Sequence, residues 1–307
     1  MLAVIAPGQG AQTPGMLESW LGLPGSRDLL ASWSDAIDLD LIHLGTTADA
    51  DDIKDTANAQ PLIVAAGLLS ARALGIGTQN ARGKFSVVAG HSVGEITAAA
   101  IAGVITELDA MKLVRARGVE MAKAAAASPS GMSAILGGDR DVVLKAIQDA
   151  GLVAANDNGA GQIVAAGSLD ALASLAPEGA RVRALAVAGA FHTQFMEAAV
   201  DPLRDLAASI SVTDPAVSVL SNKDGAVVTS GREILDRIVN QIANPVRWDL
   251  CMSTLASLGV TGAIEVSPAG TLVGLIKRAE PTITGFALKS AEECDAARTF
   301  ASEHGGK

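Results

Sequence analysis

Two cysteines, four histidines, no tyrosine, and only 23 Lys and Arg against 33 Asp and Glu remove several kinds of protein from consideration for this 307-residue chain. Cys251 and Cys294 are too few for a disulfide framework, and nothing around them has metal-ligand spacing. A formal net charge of −10, with no basic run and no aromatic-basic stripe, argues against nonspecific nucleic-acid binding. The same balance gives no general attraction for an anionic ligand, so such a ligand would need locally placed cations. No segment reaches the roughly 18 uninterrupted apolar residues of a membrane span; "PLIVAAGLLSARALGIG" is broken by Arg72 and by glycines. "MLAVIAPGQG" carries no basic leader and only a short apolar run, so it does not read as a signal peptide. The expectation is a soluble, cytoplasmic protein with no metal and no bound cofactor.

What the chain does have is 49% hydrophobic residues in alternating strand and helix patterns, which predicts an α/β fold. "LAVIA", 2–6, reads as a buried strand running into "PGQGAQ"; Thr13 stands where a dinucleotide fingerprint needs its third glycine. Helical patterns cover 26–37, 61–74 and about 106–124. From Gly131 to Ala188 the order becomes β-α-β-β-α-β, the ferredoxin-like arrangement. This predicts a small ferredoxin-like domain at 127–189, inserted into a large α/β-hydrolase-like domain with a parallel-sheet core formed by 1–126 and 190–307. A helix with apolar residues at Phe195, Ala199, Leu203, Leu206 and Ile210 follows, then one ending at Asn244-Pro245. A late strand at 262–268 and a polar terminal helix after about 290 complete the pattern.

Chemistry concentrates in "VVAGHSVGEITAAAIAGVI", 87–105. Gly90-His91-Ser92-Val93-Gly94 fits the G-x-S-x-G nucleophile elbow, a turn from strand to helix so sharp that only glycines fit beside the serine. A serine at its free pKa needs a base. Of the four histidines, His304 lies in a polar tail, and His43 in an ordinary helix-to-loop segment. His91 adjoins the serine and points elsewhere, which leaves His192. An oxyanion would need preorganised donors: the Val93 N–H at the helix start is one, and Gln9 in the "GQGAQ" loop is placed to be another. Arg117 falls on the apolar face of its helix with Ala110, Leu113, Val114 and Met121, so it requires an anion. That anion is either a structural carboxylate such as Glu120 or a substrate carboxylate held by the guanidinium fork. Gln241, at the edge of the face formed by Ile234, Ile238 and Ile242, is either a rim residue or a hydrogen-bond donor near the site.

Seven segments in order resemble the malonyl-CoA:acyl carrier protein transacylases of fatty acid synthesis and the related acyltransferase domains of polyketide synthases. They are "APGQGAQTPGM", "GHSVGEITAA", "LVRARGVEMAKA", "NDNGAGQIVAAG", "GAFHT", "NQIANPVRW" and "EVSPAGTLVGLIKR". The resemblance implies that Ser92 accepts the acyl group, His192 is its base, Gln9 and Val93 form the oxyanion hole, and Arg117 holds the malonyl carboxylate. Gln241 and His91 would line the site, and Phe191 would go with malonyl over methylmalonyl units. In place of a triad acid, a main-chain carbonyl near Gln241 would orient the histidine. The implied partners are malonyl-CoA and acyl carrier protein, met by a monomer, with Lys277 and Arg278 as a candidate basic patch. The departures from the family lie at ordinary positions such as Ser267 and Ala269. A transferase serving a polyketide synthase or malonate decarboxylase, a hydrolase using the same elbow, and a silent carrier-binding scaffold are the competing readings.

Overall fold

The computed structural model describes residues 1–76 and 85–305. Within them the strands are β1 (Leu2–Ala6), β2 (Val87–Gly90), β3 (Ser130–Gly137), β4 (Val153–Asp157), β5 (Gln162–Ser168), β6 (Ala180–Ala184), β7 (Ser218–Leu220), β8 (Val227–Val228), β9 (Val246–Arg247), β10 (Gly262–Glu265) and β11 (Thr284–Ala287). They form two sheets in a mixed α/β architecture. One runs β11-β10-β1-β2-β7-β8, parallel except for the β7–β8 pair at its edge.

β1 shows why that sheet is covered on both sides. All five of its residues are buried, and successive side chains alternate between faces. Leu2, Val4 and Ala6 join the apolar cluster of the helices Thr56–Ala73, Gly94–Ile101 and Glu107–Ala127. Ala3 and Ile5 join the cluster of the helices Trp248–Ser257 and Thr271–Ala279. From β1 the chain goes to β2 on one side, while β10 occupies the other. β10 in turn leads to β11, away from β1, so strand order reverses between β1 and β10, and parallel sheets bind ligands near such a point along the C-terminal edge of their strands. The "PGQG" loop and the elbow both open there.

Two helices differ from their sequence patterns, and proline explains both. The helix expected at 61–74 starts at Thr56, where the Asp55 side chain accepts the Ala57 N–H at 2.7 Å. Pro61 then lies inside it and has no N–H for the Ala57 carbonyl. The Arg115 guanidinium donates to that carbonyl instead, at 2.9 Å. The segment expected as one helix through Phe195 and Ile210 is a 3-10 turn, Gln194–Ala199, followed by an α-helix, Val200–Ser209. Pro202 offers no N–H to the Ala198 carbonyl and stands in the first turn of the new helix, where an N–H has no partner within the helix.

The second sheet runs β6-β3-β5-β4-β9, with antiparallel pairs β3–β5, β3–β6 and β4–β5. Ile135, Ile163 and Ala165 pack with Val143, Ile147 and Leu172 from the intervening helices. Its outer strand β9 comes from much later in the chain and lies parallel to β4, with Asn156 opposite Val246 and Asp157 opposite Arg247. Among the described residues no helix is long and apolar enough to cross a membrane.

Candidate active site

The glycines of the elbow are required by contact. A Cβ on Gly90 would lie 2.0 Å from the carbonyl carbon of Gly94, and one on Gly94 would lie 2.2 Å from the Ala6 oxygen. Ser92 sits between them at φ 53, a left-handed conformation that costs a non-glycine residue of order 1–3 kcal/mol. Its backbone N–H is anchored to Asn222 Oδ1 at 2.8 Å. The next amides fold back, Gly94 N–H onto the His91 carbonyl and Glu95 N–H onto that of Ser92. No acceptor among the described residues takes the Val93 N–H.

His192 is also left-handed, at φ 62, and its Nε2 lies 2.8 Å from Ser92 Oγ. Its Nδ1 lies 2.8 Å from the main-chain oxygen of Gln241. A carbonyl can only accept, so Nδ1 carries the proton and Nε2 is left as the acceptor for the serine hydroxyl. The orienting carbonyl anticipated near Gln241 is that of Gln241 itself. Burial, and then the Arg117 cation, push the His192 pKa down to about 3, so the ring is neutral over the ordinary pH range.

Arg117 is 1% exposed. Nη1 donates to Gln60 Oε1 at 2.7 Å, and Nη2 donates to Gln241 Oε1 at 3.0 Å and to Ser92 Oγ at 3.3 Å. Its Nε is buried without a partner. Glu120, the structural alternative, pairs with Lys123 at 2.7 Å. Arg117 thus has no ion-pair partner among the described residues, and burial lowers its pKa to about 10 against the opposing pull of Glu95. Gly118 beside it lets the helix Glu107–Ala127 approach the Thr56 carbonyl, which a Cβ would meet at 2.9 Å.

Ser92, His192, Gln9, His91 and Phe191 line one cavity of about 260 Å³ between the two sheets. Arg117 and Gln241 lie one layer behind Ser92. A larger hollow of about 980 Å³, bordered by Trp33, Phe85 and Asp214, holds none of these residues. Gln9 Nε2 lies 3.4 Å from Thr56 Oγ1, while its Oε1 is buried and unpaired. His91 points away from His192, its Nε2 2.8 Å from Asn158 Oδ1 and its ring edge-on to Trp248. Lys277 and Arg278 are exposed on the last turn of the helix Thr271–Ala279, whose Thr271, Leu272 and Leu275 border the cavity. His43 and His304 stand apart, each facing a threonine hydroxyl, Thr47 and Thr261 respectively. No group of three or more His, Cys, Asp or Glu among the described residues could hold a metal ion.

Four residues of this site have no local signal in the sequence. Asn222 accepts the Ser92 amide and donates to the Gly90 carbonyl at 2.7 Å, though "SNKDG" reads only as a turn. Gln60 accepts from Arg117, and Asn158 holds His91. Glu95 reads as an acid in a helix's first turn, yet it is 5% exposed and bonded to Asn222 and Gln241.

Comparison with known proteins gives a consistent set of likenesses. The family model described as acyl transferase domain matches residues 4–297. The malonyl CoA-acyl carrier protein transacylase of Mycobacterium tuberculosis is 55% identical over 298 residues, covering 96% of this chain and 98% of that protein. The crystal structure of MCAT from Mycobacterium tuberculosis superposes with a TM-score of 0.92 at 53% identity, covering 97% of this chain and 99% of that one. A malonyl-transacylase solved in complex with its type II PKS acyl-carrier protein matches with a TM-score of 0.88 at 30% identity, covering 97% and 99%.

Proposed function

The chain belongs to the acyl transferase domain family, and on that premise we propose that it moves a malonyl group from malonyl-CoA to the phosphopantetheine thiol of acyl carrier protein. The carrying observation is a neutral histidine and a buried, carboxylate-free arginine, at 2.8 and 3.3 Å from the same serine oxygen.

His192 Nε2 takes the Ser92 proton as Oγ attacks the thioester carbonyl. The developing oxyanion is received by the Val93 N–H and the Gln9 amide. The C–S bond breaks, and coenzyme A leaves with the proton from His192. The carrier thiol then gives its proton to His192 and attacks the serine ester; the C–O bond breaks and Oγ recovers its proton. Arg117 holds the malonyl carboxylate, with the Nη2 that rests on Ser92 Oγ and the unpaired Nε as its donors. Phe191, 6% exposed at the cavity wall, crowds the substrate's α-carbon.

The strand order β6-β3-β5-β4 with its two crossing helices supports reading 127–189 as a ferredoxin-like insert. The parallel sheet with its elbow supports an α/β-hydrolase-like large domain formed by 1–126 and 190–307. We further read the chain as a monomer that uses no group beyond its substrates. Two buried free thiols suit a reducing, cytoplasmic setting. The carrier-bound relative supports an acyl carrier protein partner, with Lys277 and Arg278 offered as its contacts.

The test is intact-protein mass spectrometry after brief exposure to malonyl-CoA. A single malonyl adduct that maps to Ser92, is absent in Ser92→Ala and is discharged by holo carrier protein supports the reading. Free malonate released faster than transfer would replace it with a hydrolase.

A further inference from the structure

Behind the nucleophile lies a carboxylate that the transfer mechanism does not use. Glu95 is at the start of the helix Gly94–Ile101, and both its oxygens are engaged by donors. Oε1 accepts the Asn222 N–H at 2.6 Å, and Oε2 accepts Gln241 Nε2 at 2.5 Å. The same Gln241 amide turns its oxygen to Arg117 Nη2 at 3.0 Å. A guanidinium can only donate and a carboxylate only accept, so the two charged groups fix the orientation of the amide between them. Gln241 Nε2 also lies 3.0 Å from Asn222 Oδ1 and 3.2 Å from the Ser92 carbonyl. The line carboxylate–amide–guanidinium thus ends on Arg117 beside the reacting oxygen, and its branch through Asn222 holds the Ser92 amide.

Glu95 and Arg117 are opposite charges buried together, one amide apart. Burial pushes the Glu95 pKa up, but the Asn222 N–H and the Gln241 amide each donate to one of its oxygens and the Arg117 charge adds its pull, so the contacts are those of an acceptor-only carboxylate. Direct contact would give Arg117 a permanent partner that a substrate carboxylate must displace. With no acid nearby, a buried cation would go without counter-charge.

We propose that Glu95 is a positioning residue for substrate selection: it holds the Gln241 amide with its oxygen toward Arg117, which keeps the guanidinium oriented and free of a permanent carboxylate partner. The inference rests on the reading of Arg117 as the malonyl-carboxylate residue.

Glu95→Gln is nearly isosteric, but it offers one acceptor where two donors converge. Either the Asn222 N–H loses its acceptor, or Gln241 reverses and sets its NH₂ against Arg117. The exchange Glu95→Gln/Gln241→Glu keeps the total charge and moves the carboxylate onto Arg117. Transfer from malonyl-CoA and from acetyl-CoA is measured for both variants and for Arg117→Ala, with a thermal melt of each to establish folding.

Both Glu95 variants are expected to lose malonyl kcat/KM by roughly 10- to 100-fold, mainly through KM, with acetyl transfer falling less. Selectivity retained in Glu95→Gln while Arg117→Ala loses it would overturn the proposal alone. Selectivity regained in the exchange variant would also overturn it, since total charge and not the amide spacer would then matter. Selectivity unaffected in Arg117→Ala would remove the carboxylate reading, and this inference with it.

Discussion

On the proposed function, replacing Arg117 by alanine should separate recognition of the substrate's carboxylate from the chemistry at its thioester. The guanidinium is buried, 3.3 Å from Ser92 Oγ, and carries no ion pair among the described residues. Two charge-assisted hydrogen bonds to a carboxylate are together worth about 3–6 kcal/mol at roughly 1.5–3 kcal/mol each. With tenfold for every ~1.4 kcal/mol, malonyl kcat/KM should fall on the order of 10²- to 10⁴-fold. Acetyl-CoA has no carboxylate to lose, so its transfer should change by less than about 10-fold, through the lost Arg117–Ser92 contact and the looser Gln241. The variant also strands Gln60 Oε1 and Gln241 Oε1, formerly bonded at 2.7 and 3.0 Å, at about 1–3 kcal/mol of stability each. A melt run beside the stopped-flow or mass-spectrometric assay therefore sets the temperature at which the variant is still folded. Malonyl and acetyl transfer falling by the same factor would refute the carboxylate role and leave Arg117 as a structural cation.

Four further outcomes follow from the same geometry. With the His192 pKa held near 3 by burial and Arg117, malonyl kcat/KM should stay flat from pH 7 down to about 5, and an inflection near 6.5 would contradict the buried neutral base. The sign for stability is the reverse of a paired histidine's: the unfolded ring takes up a proton below pH 6.5 that the folded one refuses, so this contribution is full above pH 6.5 and is lost as pH falls toward 3, which denaturant titrations at stepped pH would detect. Gly94→Ala should fail to fold or lose at least about 3 kcal/mol, because its Cβ would lie 2.2 Å from the Ala6 oxygen; near wild-type stability by urea melt would mean that the elbow relaxes. Phe191→Ala should raise the methylmalonyl-to-malonyl ratio of acyl-enzyme by about 10-fold or more, and an unchanged ratio would clear the ring of any steric role.

The parts of this site that are legible in the sequence are those with a local cause. An elbow needs glycine on both sides of its serine, and helical periodicity puts Arg117 among apolar neighbours, so both stand out in a single chain. His192 follows from scarcity, since the other three histidines have no reason to meet the serine. Asn222 and Glu95 are different. Their bond joins positions 127 residues apart, and a buried asparagine or glutamate is written with the same letters as an exposed one. β9 is two residues long and has no period to detect. The start of the helix at Thr56 was hidden by Pro61, whose orphaned carbonyl partner is satisfied from another helix.

The pairing of β9 with β4 bears on any attempt to build hybrids of this enzyme. An exchange cassette cut at 127 and 189 would carry four strands and leave the fifth behind in the host. The Gln241 carbonyl that accepts from His192 Nδ1 lies five residues before that strand, so a foreign cassette seating Val246 poorly would shift the host's own His192 ring. Grafts that move residues 241–247 together with 127–189 should keep turnover, while swaps of 127–189 alone should fold and work slowly.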